Sequence, residues 1–264
     1  MAGSVLISRI PVRYHDLAFI VALLERRGPL KFADLRTVLS PTWHYYLSSS
    51  GALIKETLGF GVSLGIFKTT SERSWDDRIL SLDIEGVWHQ SFPLRLLYLF
   101  TTQNEVPQRA FRGVHDVLID QGVHFTTAKD IVERMEVSPY RNAFAWNETK
   151  INFWAQFMHD LGLLVRLPPE NLALSPSSEI LVALLPTRGA LRAELERWHT
   201  EYFAVFTRLG EVHDGLARAL LRLEDAGHVK WTYSSDAVGS VQLCGRRISD
   251  FERTMSGVPR GGPQ

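Results

Sequence analysis

Residues Thr149 to Leu174 read TKINFWAQFMHDLGLLVRLPPENLAL, and this stretch decides the architecture. Ile151, Trp154, Phe157, Met158 and Leu161 recur at spacings of three and four, which puts them on one helical face. Gly162 follows directly and takes the left-handed conformation that ends a helix at little cost. Leu163 to Leu167 is a short apolar run of strand type. Pro168-Pro169-Glu170-Asn171 turns the chain, and Leu172 to Leu174 returns as a partner strand.

Two other stretches carry the same punctuation. One runs from Ala52 to Asp83, the other from Gly215 to Cys244. Each has an amphipathic helix, a glycine (Gly65, Gly227), a short apolar strand ending in a base (Lys68, Lys230), a polar turn and a return strand. Arg166 holds the equivalent place in the middle copy. Three spaced copies of one pattern predict repeated modules of one type.

Working outward, Asp16 is placed as the N-cap of a helix through Arg27, with Leu17, Ile20, Val21 and Leu24 facing inward. Lys31 to Leu39 is a second helix, which Ser40-Pro41 is expected to break. Thr42 to Ser50 reads either as a turn or as the start of the third helix. Before all of these, Val5 to Ile10 is a strand or an arm. Helices are also expected over Phe92–Thr102, Pro107–Gly122 and from Ala128, after a Thr127 cap, with Ser138-Pro139 as the stop. Pro176 and Ser177 start another helix, and Ala190 to Thr207 is a long one. Asp214 is placed as the cap of the helix after it, and Ser249 to Thr254 as a short helix.

Three helices followed by a two-stranded wing resemble the winged-helix family, most fully over about residues 14–84 and again in the middle copy. The third copy lacks a second helix between Thr207 and Val212 and reads as a partial module. The fold class is therefore α+β, mainly helical, with tandem winged-helix modules. The expected division is 1–91, 92–186 and 187–255, with a disordered tail at 256–264. No Gly/Ser-rich linker separates these segments, so a rigid tandem is expected.

The resemblance implies DNA binding, with the third helix in the major groove and the wing on the backbone. Phosphate contacts need Lys or Arg, and base reading needs Arg, Lys, Asn or Gln. The candidates on third helices are Lys55, Lys150, Asn152, Arg218 and Arg222, the last two sharing a face at a spacing of four. Wing candidates are Arg73 and Arg78, with Arg246 and Arg247 after the last strand. Weighed against this, the same charges are ordinary solvated residues on modules that dock to proteins. Trp43, His44, Tyr45 and Tyr46 cluster beside the first copy, and Trp43, Tyr45 and Tyr46 are the candidate partner anchors. Tyr140, Phe144, Trp146, Phe153 and Trp154 crowd the middle copy, where Phe153 and Trp154 read as core.

Composition narrows the classes further. The 264 residues are 45% hydrophobic, ample for a packed core, and carry 29 bases against 29 acids. No global basic field exists to draw in nucleic acid, and none of the three segments is a polycation. Cys244 is the only cysteine, so an internal disulfide and a cysteine-rich zinc site are excluded, and a reducing, cytoplasmic setting is expected. Cys244 is expected to be buried and inert at a strand end. The N-terminus does not read as a signal peptide, and Leu17 to Leu24 is too short to span a bilayer.

His-Asp occurs four times, at 15–16, 115–116, 159–160 and 213–214, the dipeptide of a metal-dependent phosphohydrolase. The dipeptides fall in different copies and mostly at helix ends, so no metal site is expected. Gly59-Phe60-Gly61 lies within a helix and not after a strand, unlike a dinucleotide loop. No phosphate loop, His-Glu-x-x-His or nucleophile elbow is present. The expected function is non-catalytic and cofactor-free: a subunit or regulator that binds double-stranded DNA within a larger DNA-handling assembly. The alternative is a protein–protein adaptor without DNA contact. Other protein subunits are expected partners, a membrane is not, and a homo-oligomer is left open.

Overall fold

The computed structural model describes residues 12–43, 50–83, 91–103, 106–202, 207–208, 211–236 and 238–254. The fold is mixed α+β, with small antiparallel sheets among helices. The order helix, strand, helix, helix, then antiparallel strands recurs three times; two strands follow in the first two copies, and the third adds a hairpin before its last helix and a third strand after it.

The first copy comprises α1 (Tyr14–Arg27), β1 (Leu30–Lys31), α2 (Phe32–Trp43), α3 (Ser50–Leu64), β2 (Phe67–Thr69) and β3 (Ile79–Leu82). After α4 (Phe92–Thr102) come α5 (Val106–Asp120), β4 (Phe125–Thr127), α6 (Ala128–Glu136), α7 (Glu148–Asp160), β5 (Leu164–Leu167) and β6 (Asn171–Leu174). The third copy comprises α8 (Ser178–Leu184), β7 (Arg188–Ala190), α9 (Leu191–Glu201), the hairpin β8 (Thr207–Arg208) and β9 (Glu211–Val212), α10 (Asp214–Asp225), β10 (Val229–Tyr233), β11 (Val241–Leu243) and β12 (Arg246–Arg253). In every copy the last strand is central. The sheet orders are β1-β3-β2 and β4-β6-β5, and β12 lies between β10 on one edge and β11 with β7 on the other.

The helix-ending signal works as the residues predict. Gly162 sits at φ +84°, and the next amide, Leu163 N, donates 2.9 Å to Met158 O. That closes the last turn and redirects the chain into β5. Ile66 N to Gly61 O and His228 N to Leu223 O, both 2.8 Å, repeat the device in the other copies. The predicted inner face of α7 is buried throughout, with Ile151, Trp154 and Met158 fully inaccessible. Phe60 (α3), Phe100 (α4), Phe111 (α5) and Phe157 (α7) form one aromatic cluster, with ring centroids 5.1–6.4 Å apart. The first and middle copies therefore share core. The middle and third meet along α10. A Cβ on Gly215 would fall on the Leu174 carbonyl oxygen, far inside van der Waals contact.

Several sequence expectations change. Backbone of α2 runs through Ser40-Pro41 to Trp43; proline's fixed φ is helical, and near a helix end it forfeits only one hydrogen bond. Arg13 is the α1 N-cap position, and Asp16 lies inside the first turn. The α10 cap is His213, whose Nδ1 accepts from Gly215 N at 3.1 Å, so Asp214 is the first helical residue. The helix expected to reach Thr207 ends at Glu201, and Thr207 is in a strand. Ser249 to Thr254 is not helical: through Arg253 it belongs to β12, where pairing on both edges overrides local propensity. Cys244 and Gly245, at φ +45° and +86°, form a tight turn between β11 and β12, and Cys244 is exposed. Between α9 and α10 the described residues form the β8–β9 hairpin and no helix, as expected; α8 and β7 precede α9. The arm at Val5–Ile10, the tail after 254 and the aromatics His44, Tyr45 and Tyr46 lie outside the described residues, as does the Trp43 side chain.

Candidate nucleic-acid interface

The expected bases fall into four neighbourhoods. In the first copy, Lys55 of α3 and Arg78 of the β2–β3 connection converge on one indole. Arg78 Cζ is 4.5 Å from the Trp75 ring centroid and Lys55 Nζ is 6.0 Å away. Arg78 Nε also donates to Glu72 O at 2.9 Å, so this base shapes the turn. Arg73 is exposed on the same turn, beside acids. One of them, Asp76, pairs with Arg36 at 3.2 Å.

In the middle copy, Lys150 folds back along the chain. Its Nζ donates to Ala145 O at 2.6 Å and lies 5.6 Å from the Phe144 ring centroid. Burial lowers its pKa. Trp146 Nε1 donates to Tyr140 O at 3.0 Å, so the aromatics here brace the loop before α7. Asn152, by contrast, faces outward into an open groove of about 770 Å³. One wall is the start of α6, with Lys129, and of α7, with Glu148 and Asn152. The other is β5 and the turn to β6, with Arg166, Leu167, Pro168, Pro169 and Glu170. Arg166 donates to Gln156 Oε1 of α7 at 2.6 Å, and Gln156 Nε2 donates to Asp160 at 2.8 Å. That chain fixes the base at the groove's side. Lys129 was not among the sequence candidates. Its signal was present, as a base just inside a capped N-terminus, but only the fold brings it into one groove with Asn152.

In the third copy, Arg218 and Arg222 are both exposed on α10, as their spacing requires. Arg222 donates to Ser175 Oγ of the middle copy at 2.7 Å. His124 has its pKa lowered by burial first and then by the nearness of Arg218 and Arg222, with Asp214 opposing. Both arginines therefore border the middle copy. Arg246 and Arg247 lie within β12 and not after the last strand; as neighbours on a strand they face opposite ways. Arg246 approaches Tyr233 Oη at 3.4 Å, and Tyr233 in turn donates to Glu224. Arg247 donates to Ser235 O at 3.2 Å.

The His-Asp pairs come together two by two, 15–16 beside 159–160 and His115 near His213. His15 Nε2 lies 3.7 Å from Asp160 Oδ1, which joins α1 to α7. Asp116 pairs with Arg112 at 3.0 Å. His213 Nε2 contacts Val123 O at 3.1 Å, so with Nδ1 accepting as the cap, Nε2 carries the proton. His115 is buried within α5. Among the described residues, no helix is long and apolar enough to cross a membrane. Comparisons of the chain with protein-family models, with curated proteins and with solved structures find no match.

Proposed function

We propose that the chain is a non-catalytic protein of tandem winged-helix modules that binds double-stranded DNA through its middle copy. In this reading it works as one subunit of a larger assembly. The module assignment rests on the element order and central last strand common to all three copies. It moves α8 from the middle segment into the third module. The observation that carries the DNA reading is the middle groove, where Asn152 of the third helix, Lys129 of the second and Arg166 of the wing line one open cleft. Phosphate contacts fall to the two bases and base-edge contacts to Asn152. Glu148 and Glu170 also line the groove and temper its charge, so the expected binding is weak and steeply salt-dependent.

The test is fluorescence anisotropy of a labelled random duplex at low and physiological salt. Lys129→Glu and Arg166→Glu should each weaken low-salt binding about tenfold. Absence of binding at low salt, or binding indifferent to both changes, sinks the reading. A protein-docking role is the second reading. It is favoured by the internal engagement of Arg78, Lys150, Arg222 and Arg246, which leaves few of the expected bases uncommitted.

A further inference from the structure

The middle sheet has a second face, opposite the one that carries Arg166. Side chains alternate across a strand, so Thr126, Arg166 and Leu172 share one face and Phe125, Val165 and Ala173 the other. On that other face the register places Phe125, Ala173 and Val165 in a single cross-strand row. Phe125 is 63% exposed and Val165 40%, with Ala173 buried between them; Leu167, one pleat further along β5, is 37% exposed. Such apolar rows on a small sheet are normally covered.

Two bases and one acid of α10 border the row. α10 is clamped to its end by the tight approach of Gly215 to Leu174, by His213 on Val123 O and by Arg222 on Ser175. The His124 ring lies against Phe125, centroids 4.1 Å apart, and His124 is near enough to Arg218 and Arg222 to feel both. Asp214 is the acid in this neighbourhood, one turn before Arg218 on α10. The result is an apolar floor beside an arginine-bearing wall.

We infer that this corner docks an acidic segment of a partner protein, with a large apolar side chain seated on Phe125 and Val165 and carboxylates against Arg218 and Arg222. Charge complementarity selects the acidic partner. The aliphatic side chain of Val165 selects a protein over a nucleic acid, which has no aliphatic surface to cover it. This gives the docking reading a definite surface. It holds whether or not the groove binds DNA, because Phe125, Val165, Arg218 and Arg222 do not line the groove.

The experiment titrates the full chain against a fluorescein-labelled peptide alternating Asp or Glu with Leu or Phe. A labelled oligo-dT strand is titrated in parallel, and sedimentation of the protein alone reports self-association. Phe125→Ser and Arg218→Glu should each weaken the peptide about tenfold and leave duplex binding unchanged. Val165→Asp is the second variant should Phe125→Ser alter the circular dichroism. The inference is overturned if the peptide does not bind, or binds equally to Phe125→Ser and Val165→Asp. It is also overturned if oligo-dT is the ligand these variants lose, or if they abolish a dimer of the wild type. Failure of the duplex titration leaves this result standing, so the two readings fall separately.

Discussion

His115 should make the protein acid-labile in a way that one substitution removes. It is 1% exposed within α5, and burial, followed by the nearby His213, lowers its pKa from 6.5 to about 3. The folded state thus holds a neutral imidazole where the unfolded chain takes a proton. A lowered histidine pKa leaves stability intact above pH 6.5 and erodes it as pH falls towards 3. Between pH 7 and pH 4.5, the single-site linkage integrates to a loss of about 2 kcal/mol. The assay is urea unfolding at both pH values for wild type and His115→Gln, which keeps a polar side chain but cannot titrate. The variant is less stable at pH 7, because the site is close-packed. Its drop to pH 4.5 should be smaller than that of the wild type by about 2 kcal/mol, His213 and the carboxylates supplying the shared remainder. Equal drops in both proteins would show that His115 does not bind its proton only on unfolding, and would refute the reasoning.

Gly215→Ala, normally favourable in a helix, should cost at least about 2 kcal/mol, because the methyl group meets the Leu174 carbonyl; thermal unfolding reads this, and a neutral result would mean that α10 can slide. Asp16, raised to about 6 chiefly by burial and also by Asp160, pays for its charge above that pH. Asp16→Asn should therefore stabilise the protein at pH 8 by about 1 kcal/mol, allowing for partial exposure, and leave it unchanged at pH 4, as paired denaturation curves would show. Thr127→Ala removes half of the Thr127–Asp130 capping box and should cost about 1 kcal/mol by urea denaturation; Thr127→Ser should restore most of it.

Helix periodicity and the stop glycines were legible in the chain because both are local. The face of α7, the φ of Gly162 and the strand after it follow from residues within two turns of each other. What escaped was set by distant partners. β7 and β12 owe their strand conformation to pairing with each other across more than fifty positions, and nothing near Ser249 announces it. Asp16 and Asp214 are good capping residues by type, yet Arg13, three positions before Asp16, and His213, just before Asp214, hold the cap positions. Among the site candidates, Asn152 was named from its residue type and its place on the expected third helix, whereas Lys129 and Arg166 join it only through the closing of β5 on β6 beside α6. The reverse error is Lys150: a base on the right helix, turned back onto its own loop.

The third copy shows how one architecture divides its labour. A recognition helix must leave a broad polar face clear for a groove. In α10, Gly215, Leu216, Ala217, Ala219, Leu220 and Leu223 are buried, partly in the third copy's own core and partly against the middle one. The side chains left exposed, Asp214, Arg218, Arg222 and Asp225, form a narrow stripe in which acids match bases, and Arg222 is tied to Ser175. This helix is positioned to brace the middle copy and to edge its outer sheet face. In the first copy, Lys55 and Arg78 gather on Trp75 with acids around them. In the middle copy, Lys129 of α6 and Arg166 of β5 line one open cleft with Asn152, while Phe125 and Val165 lie outside it, which is why both proposals fall on this copy and at separate places.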